Sequence, residues 1–256
     1  MTDKVCEKCD GTGWVPGESH GISGVTRCDC IFVERRERIE RTSSIPPLYQ
    51  TASLENFIFP KDNPVAAQAL KSVTTIVRSY AREFPQTDKP GLLFVGEPGT
   101  GKTHLAVAAA RVLIERGFEC LFYDYQNLLD RIRSGYDSTS GTSDKEAYRS
   151  ALDSEVLLLD DLGAHRTTDW VEDTVTSIIT YRCNNRKALI ATTNLSDVDA
   201  TAASGERGNT TPGGRDYRRT LGESIGMRAR SRLFEMCRVI RMPAVEDYRI
   251  KKSRMF

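Results

Sequence analysis

Residues Gly96-Glu97-Pro98-Gly99-Thr100-Gly101-Lys102-Thr103 decide how the rest of this 256-residue chain is interpreted. They match the pattern G-x-x-x-x-G-K-[ST], in which each fixed position has a mechanical role. The glycines allow the backbone to curl so that several N–H groups point at one anion. Lys102 can then reach the β- and γ-phosphates of a nucleotide, and the Thr103 hydroxyl can bind Mg²⁺. The sequence therefore predicts an ATP and magnesium site.

The segments on both sides of this loop have the patterns that such a site requires. Leu92-Leu93-Phe94-Val95 precedes it as a short apolar run, which is typical of a buried strand. The alanine-rich residues 104–111 follow it and favour a helix, whose N-terminus adds partial positive charge at the phosphates. The predicted nucleotide ligands are Gly96, Glu97, Pro98, Gly99, Thr100, Gly101, Lys102, Thr103 and His104, together with Asp160.

A second apolar run ends in two adjacent carboxylates. Val156-Leu157-Leu158-Leu159 is followed by Asp160 and Asp161, about sixty residues after the loop. In a phosphoryl-transfer site one carboxylate holds Mg²⁺, directly or through water, and a second can polarise the attacking water. We assign the magnesium role, shared with Thr103, to Asp160 and the water-polarising role to Asp161.

Composition excludes several classes of protein. Charged residues make up 28% and apolar residues 39% of the chain, as in ordinary globular proteins. The sequence contains no apolar run of about 18–20 residues, and its N-terminus is polar. We therefore expect neither a membrane span nor a secretory signal. We expect a cytoplasmic location. The net charge is +1, yet residues 206–256 carry thirteen Lys/Arg against six Asp/Glu. That excess fits contact with phosphate or an acidic partner, or a solvated arginine-rich helix.

Four of the seven cysteines cluster near the N-terminus. Cys6, Cys9, Cys28 and Cys30 form the pattern C-x2-C-x18-C-x-C. The Gly- and Ser-containing residues between the two pairs are expected to form a loop. Four thiolates suit a structural Zn²⁺ site in a protein whose compartment disfavours disulfides. His20 offers an alternative ligand, and free or redox-sensing thiols are the competing interpretation. The remaining cysteines, Cys120, Cys183 and Cys237, are expected in the core.

Alternating strand and helix patterns after residue 60 predict an α/β fold with a parallel sheet covered by helices on both faces. We divide the chain into a zinc-binding module at 1–35, a helix and linker at 36–60 and a nucleotide-binding domain at 61–256. Residues 134–143 are expected to be mobile and 198–216 to form a surface insertion. The arginine-rich residues 217–236 are predicted to form one helix.

Further motifs connect these pieces to a known family. They are Ile45-Pro46-Pro47-Leu48-Tyr49, Leu54-Glu55-Asn56-Phe57, Gly96 to Leu105, Leu157 to Ala164, Ala191 to Ser196, Ser231-Arg232-Leu233 and Asp247-Tyr248-Arg249. With these motifs the chain resembles the AAA+ P-loop ATPases, and within them the DnaC/DnaI-type replicative helicase loaders. The IstB-type transposition helper ATPases share most of the same motifs. The resemblance implies an AAA+ fold that lacks the C-terminal helical lid.

The resemblance also implies roles for residues outside the loop. Asn194 would be the sensor that orients water near the γ-phosphate. Arg228 and Arg232 lie one helical turn apart on the element that carries arginine fingers in this family, and either one would stabilise charge at a neighbouring subunit's nucleotide. Arg230 is expected on a different face of the helix and in solvent.

The function implied by the resemblance is ATP-dependent loading of the hexameric DnaB-type helicase onto single-stranded DNA. The implied partners are that helicase, single-stranded DNA and further copies of the same chain, with no membrane. The zinc module would contact the helicase, and the ATPase domain would contact DNA. An IstB-type helper that oligomerises on duplex DNA and directs a transposase is the first alternative. An ATP-gated scaffold with negligible turnover is the second.

Overall fold

The computed structural model describes residues 6–19, 22–134, 143–197 and 219–253. His20, the predicted insertion at 198–216 and residues 135–142 of the segment expected to be mobile lie outside the described residues. Among the described helices, none is both long and apolar enough to span a membrane.

The N-terminal part is a hairpin followed by a helix. Strands β1 (Trp14–Ser19) and β2 (Ile22–Arg27) pair antiparallel, with Trp14 opposite Arg27. Helix α1 (Asp29–Thr42) follows directly. The sequence predicted a loop between the two cysteine pairs, because glycine and serine interrupt any clear alternation there. The hairpin brings the two ends of that segment together and so brings the two cysteine pairs together.

Within the described residues, the main sheet has five parallel strands. They are β3 (Gly91–Val95), β4 (Cys120–Asp124), β5 (Val156–Asp160), β6 (Ala188–Thr193) and β7 (Cys237–Arg241). Their order across the sheet is β4-β5-β6-β3-β7. Strand β6 therefore lies between β3, which precedes the phosphate loop, and β5, which ends in the carboxylates. All three deliver their C-terminal residues to the same edge of the sheet.

Helices cover both faces of this sheet, as the sequence predicts. They are α2 (Pro64–Glu83), α3 (Lys102–Glu115), α4 (Tyr125–Ser134), α5 (Ser143–Asp153), α6 (Asp169–Asn184), α7 (Leu221–Ile225), α8 (Met227–Met236) and α9 (Tyr248–Ser253). Leu92 and Phe94 of β3 pack toward α2 and α3, whereas Leu93 packs toward the opposite cluster formed by α4 to α8. The alternation of a strand's side chains thus builds two cores.

The prediction of one arginine-rich helix over 217–236 is wrong. The described part of that range contains two helices, α7 and α8, separated by Gly226 at φ +84°. L side chains rarely adopt this φ, so the break favours glycine, and a side chain there would also meet the Glu172 side chain of α6. Thr220 and Glu223 form a capping box that starts α7 as a separate element.

The opposite edge of the sheet is held by one buried arginine. Arg182 of α6 is fully buried and donates hydrogen bonds to five backbone carbonyls, those of Ala151, Leu152, Ser154, Glu155 and Ala188. Burial lowers the pKa of this guanidinium to about 10. These carbonyls lie around the starts of β5 and β6. Arg182 therefore holds the N-terminal ends of the two strands in position relative to each other.

Candidate nucleotide site and cysteine cluster

The phosphate loop has the backbone conformation that its glycines predict. Gly99 and Gly101 adopt φ of +74° and +91°, and α3 begins directly afterwards at Lys102. A side chain at Gly101 would lie 2.6 Å from the ring of Phe57. The loop is therefore packed against the segment before the domain, and that packing leaves no space for a larger residue.

The Lys102 ammonium is folded into the loop. Its Nζ donates hydrogen bonds of 2.8 Å to the carbonyls of both Gly96 and Glu97, and the residue is 5% exposed. Burial lowers the pKa of Lys102, while the carboxylates of Asp161 and Asp160 act in the opposite direction. This cation lies where the loop curls, so phosphate oxygens entering the loop meet a positive charge.

Asp160 is held by two hydroxyl groups. Thr103 Oγ1 and Thr192 Oγ1 donate to its Oδ1 at 2.9 and 2.6 Å. Burial raises the pKa of Asp160, and the two hydrogen bonds oppose that rise. The sequence paired Thr103 with Asp160 as magnesium ligands, and the structure brings these two side chains into contact. Hard oxygen donors in this pair suit Mg²⁺.

Asp161 is positioned by its own backbone and by β6. It adopts φ +54°, a conformation that aspartate tolerates better than most residues, and its N–H donates to Thr192 Oγ1 at 3.0 Å. Asn194 Nδ2 donates to Asp161 Oδ1 at 2.9 Å. The two residues predicted to handle the attacking water thus form one unit.

Sequence reasoning assigned no role to Thr192 and Thr193. The Thr192 hydroxyl donates to the Asp160 carboxylate and accepts the backbone N–H of Asp161. The carbonyl of Thr193 accepts the N–H of Gly96 at 3.3 Å. Thr193 Oγ1 also donates to the carbonyl of Leu162 at 2.8 Å. The available signal was two polar residues at the end of an otherwise apolar strand, since a buried hydroxyl needs a partner.

Two other segments close around the loop. The N–H of Tyr248 donates to the carbonyl of Gly99 at 3.3 Å, at the start of α9. On the other side, His104 Nε2 lies 2.9 Å from the carbonyl of Ser53, and its ring contacts that of Phe57. The imidazole is therefore engaged with the preceding segment, and what His104 offers a phosphate is its backbone N–H in the first turn of α3.

The arginines of α8 occupy two different faces. Arg228 and Arg232 are exposed and one turn apart, as expected. Arg232 Nη1 pairs with Glu235 at 2.7 Å and lies beside the Cys183 thiol of α6. The expectation that Arg230 is in solvent is wrong: its side chain is 16% exposed and pairs with Asp197 at 2.6 Å. The sequence could not show this pair because the two residues lie 33 positions apart.

The four predicted zinc ligands come together. The Sγ atoms of Cys6, Cys9, Cys28 and Cys30 all lie within 4.8 Å of one another. The unusual C-x-C spacing is explained by α1, because Cys28 occupies its N-cap and Cys30 lies in its first turn. The first pair belongs to a turn in which the N–H of Gly13 donates to Cys9 Sγ at 3.3 Å.

The chemistry of this cluster fits a metal. Burial raises the pKa of Cys9, but hydrogen bonds from Gly13 and Cys30 outweigh it and bring that pKa down to about 7. Burial and the neighbouring thiols raise the pKa of Cys30. A bound cation would balance the negative charge of thiolates held this close together. Four sulfurs with a donated N–H match a closed structural zinc site.

The sheet order, the phosphate loop and the Asp160–Asp161–Asn194 arrangement define an AAA+ P-loop protein. The family follows from a direct match: residues 32–205 match the family described as IstB-like ATP binding protein, and the chain belongs to it. The protein is therefore a member of an ATP-binding family, and the predicted fold class is confirmed.

Individual relatives agree with that assignment. The chain is 26% identical over 176 residues to "Replicative helicase loader DnaC" of Escherichia coli (strain K12), covering 68% of this chain and 69% of the relative. It is 24% identical over 201 residues to "Uncharacterized protein YqaM" of Bacillus subtilis (strain 168), covering 76% of this chain and 60% of that relative. The match thus spans less than two thirds of the length of YqaM.

A solved structure supports the same kinship. The crystal structure of the DnaC helicase loader superposes with a TM-score of 0.61 at 29% identity, covering 77% of this chain and 100% of that one. The predicted resemblance to helicase loaders and to the IstB group is confirmed.

Proposed function

We propose that this protein is an ATPase that loads a hexameric DnaB-type replicative helicase onto single-stranded DNA at replication initiation or restart. The observation that carries the ATPase proposal is the Asp161–Asn194 hydrogen bond beside the phosphate loop. The likeness to DnaC supports the choice of helicase as the partner. Such a loader acts in the cytoplasm, where replication takes place.

Different residues of the site have different roles in ATP hydrolysis. The loop and Lys102 bind and orient the phosphates, and Thr103 and Asp160 would hold Mg²⁺. That ion would neutralise charge on the β- and γ-phosphates. Asp161 accepts a proton from the attacking water, and Asn194 holds both the carboxylate and the water in line with the γ-phosphate.

Arg232, or Arg228 beside it, acts on the nucleotide of a neighbouring subunit. Both guanidiniums point from the exposed face of α8, and Arg232 is occupied by Glu235 within its own chain. An exposed pair of this kind is worth little, so a neighbour's γ-phosphate can replace Glu235 as the partner. Hydrolysis therefore depends on ATP-promoted self-association.

The cysteine cluster would hold one structural Zn²⁺, which would stabilise the hairpin and the start of α1. The same unit exposes Trp14 and Phe32, which are 47% and 59% exposed. Exposed aromatic side chains suit protein contact. This unit is our proposed contact with the helicase, and the ATPase domain contacts DNA.

The main alternative is an IstB-type helper that assembles on duplex DNA and directs a transposase. The family that residues 32–205 match is described as IstB-like ATP binding protein, and that description supports this alternative. Both functions use the same ATP site, so the partner decides between them.

Affinity capture identifies that partner. The Asp161→Asn protein, which is expected to bind ATP without turning it over, is used as bait with ATP and Mg²⁺ in a lysate of the source organism. Recovery of the replicative helicase, lost when Lys102→Ala is the bait, is the expected result. Recovery of a transposase instead would contradict the loader assignment and support the alternative.

A further inference from the structure

An ion pair joins the segment that follows β6 to the helix that carries the proposed finger. Arg230 approaches Oδ1 of Asp197 with two nitrogens, Nε at 2.8 Å and Nη2 at 2.6 Å. The side chains of Asp197 and Arg230 are 8% and 16% exposed. The guanidinium also lies over the Phe234 ring, 5.0 Å from its centroid. A charge-assisted pair with this little exposure fixes the relative position of the two elements.

Both partners are close in sequence to residues of the ATP site. Asp197 ends the sensor segment, residues 194–197, which begins with Asn194. Arg230 lies on α8 between Arg228 and Arg232. The sensor segment also contacts α7, because the N–H of Leu221 donates to the carbonyl of Ser196 at 3.0 Å.

A second contact ties the same region to the carboxylates. Gly163, two residues after Asp161, adopts φ +86°, and a side chain there would lie 2.6 Å from Leu195 and 3.2 Å from Ser224 of α7. The residues that follow Asp161, the sensor segment and α7 are therefore in direct contact. The Asp197–Arg230 pair extends this contact to α8.

We propose that Asp197 is a positioning residue for the arginine finger: through its ion pair with Arg230 it fixes α8 against the sensor segment, so that Arg232 is held in the orientation a neighbouring subunit's ATP needs. This inference rests on the proposed finger in trans. The pair therefore affects hydrolysis of the ATP bound by the neighbouring subunit. ATP binding by the subunit that carries the pair depends on its own phosphate loop and carboxylates.

Asp197→Asn removes the charge and keeps the shape of the side chain. We expect kcat to fall at least about tenfold, because a displacement of about 1 Å in a catalytic group can cost 10²-fold in rate. The affinity for ATP should be unchanged. Asp197→Glu, which retains the carboxylate, should recover much of the rate. Glu55→Gln breaks an exposed pair with Arg78, whose side chains are 74% and 58% exposed, and should leave kcat unchanged.

A mixing experiment tests the assignment. Lys102→Ala subunits bind ATP only weakly but can donate a finger, and Arg232→Ala subunits bind ATP but lack the finger. Mixed, they should hydrolyse ATP although each is inactive alone. Asp197→Asn is then added either to the donor or to the acceptor, and kcat and the KM for ATP are measured at saturating subunit concentrations.

When the donor carries Asp197→Asn, we expect kcat of the mixture to fall at least about tenfold, with the KM for ATP unchanged. When the acceptor carries it, we expect kcat close to that of the starting mixture. Equal loss in both positions would overturn the inference, because it would indicate a general structural role or misfolding. Full rescue by the altered donor would also overturn it. If the starting mixture is inactive, the trans finger itself is contradicted, and this inference falls with it.

Discussion

Asn194 Nδ2 donates a hydrogen bond of 2.9 Å to Oδ1 of Asp161, joining the residue after β6 to the residue after β5. The two strands are neighbours in register, with Leu159 opposite Ala191. The contact therefore follows from the sheet order and does not depend on a flexible loop. It places an amide beside the proposed general base.

Asp161→Asn should bind ATP like the parent and hydrolyse it far more slowly. A general base contributes about 10²–10⁴-fold to a rate, so kcat should fall within that range. Steady-state phosphate release and a nucleotide titration measure the two quantities. Hydrolysis at the parental rate would show that Asp161 is not the base.

Thr192→Val tests a residue that the sequence did not identify. Valine keeps the shape but removes the hydroxyl that donates to Asp160 and accepts from the Asp161 N–H. A buried group that loses its partner costs about 1–3 kcal/mol of stability. The variant should therefore be less stable than the parent, and its turnover should need a higher Mg²⁺ concentration. Thr74→Val is the matched control, because Thr74 is a buried threonine in α2 whose hydroxyl donates to the carbonyl of Lys71. Equal effects of the two substitutions on turnover would refute a specific role for Thr192.

The fold was predictable because its signals are local. The apolar runs of β3 and β5 and the glycines of the loop each demand one structure over a few residues. The hairpin β1–β2 was missed since its strands contain glycines and proline, which mask the alternation of a strand. The break at Gly226 was missed because a single glycine is tolerated inside a helical pattern, and the residues on both sides of it favour a helix.

The site was predictable only in part for the same reason. Lys102, Thr103 and Asp160 belong to motifs with fixed spacing, and the structure brings them together. Arg230 was misassigned because its partner Asp197 is brought near by the sheet, and helical periodicity carries no information about that. Thr192 acts through a hydroxyl that sequence alone cannot distinguish from an ordinary threonine in a strand.

Lys102→Ala should abolish tight ATP binding and leave the fold intact. A hydrogen bond to a charged group is worth about 1.5–3 kcal/mol, which corresponds to about 10–100-fold in Kd. The remaining loop would keep its conformation because Gly99 and Gly101 set it. Calorimetric titration with ATP and a circular dichroism melt check these statements, and an unchanged Kd would contradict the assignment.

One Zn²⁺ per chain is expected, and Cys9→Ser should release it. Loss of the metal should expose the hairpin and the start of α1 to protease while ATP binding persists, because the main domain has its own core. Cys183→Ser, outside the cluster, is the control and should retain the metal, as should His20→Ala. Elemental analysis of protein purified without chelator measures the content. Absence of zinc from the parent protein would refute the site.

The most direct test of the loader account uses circular single-stranded DNA, which a closed helicase ring cannot thread onto from an end. Purified hexameric helicase from the source organism is incubated with the circle, ATP and this protein, and helicase bound to DNA is measured by gel filtration. The account predicts that this protein increases the bound helicase strongly and that Lys102→Ala does not. Equal loading with and without the protein would contradict the central claim.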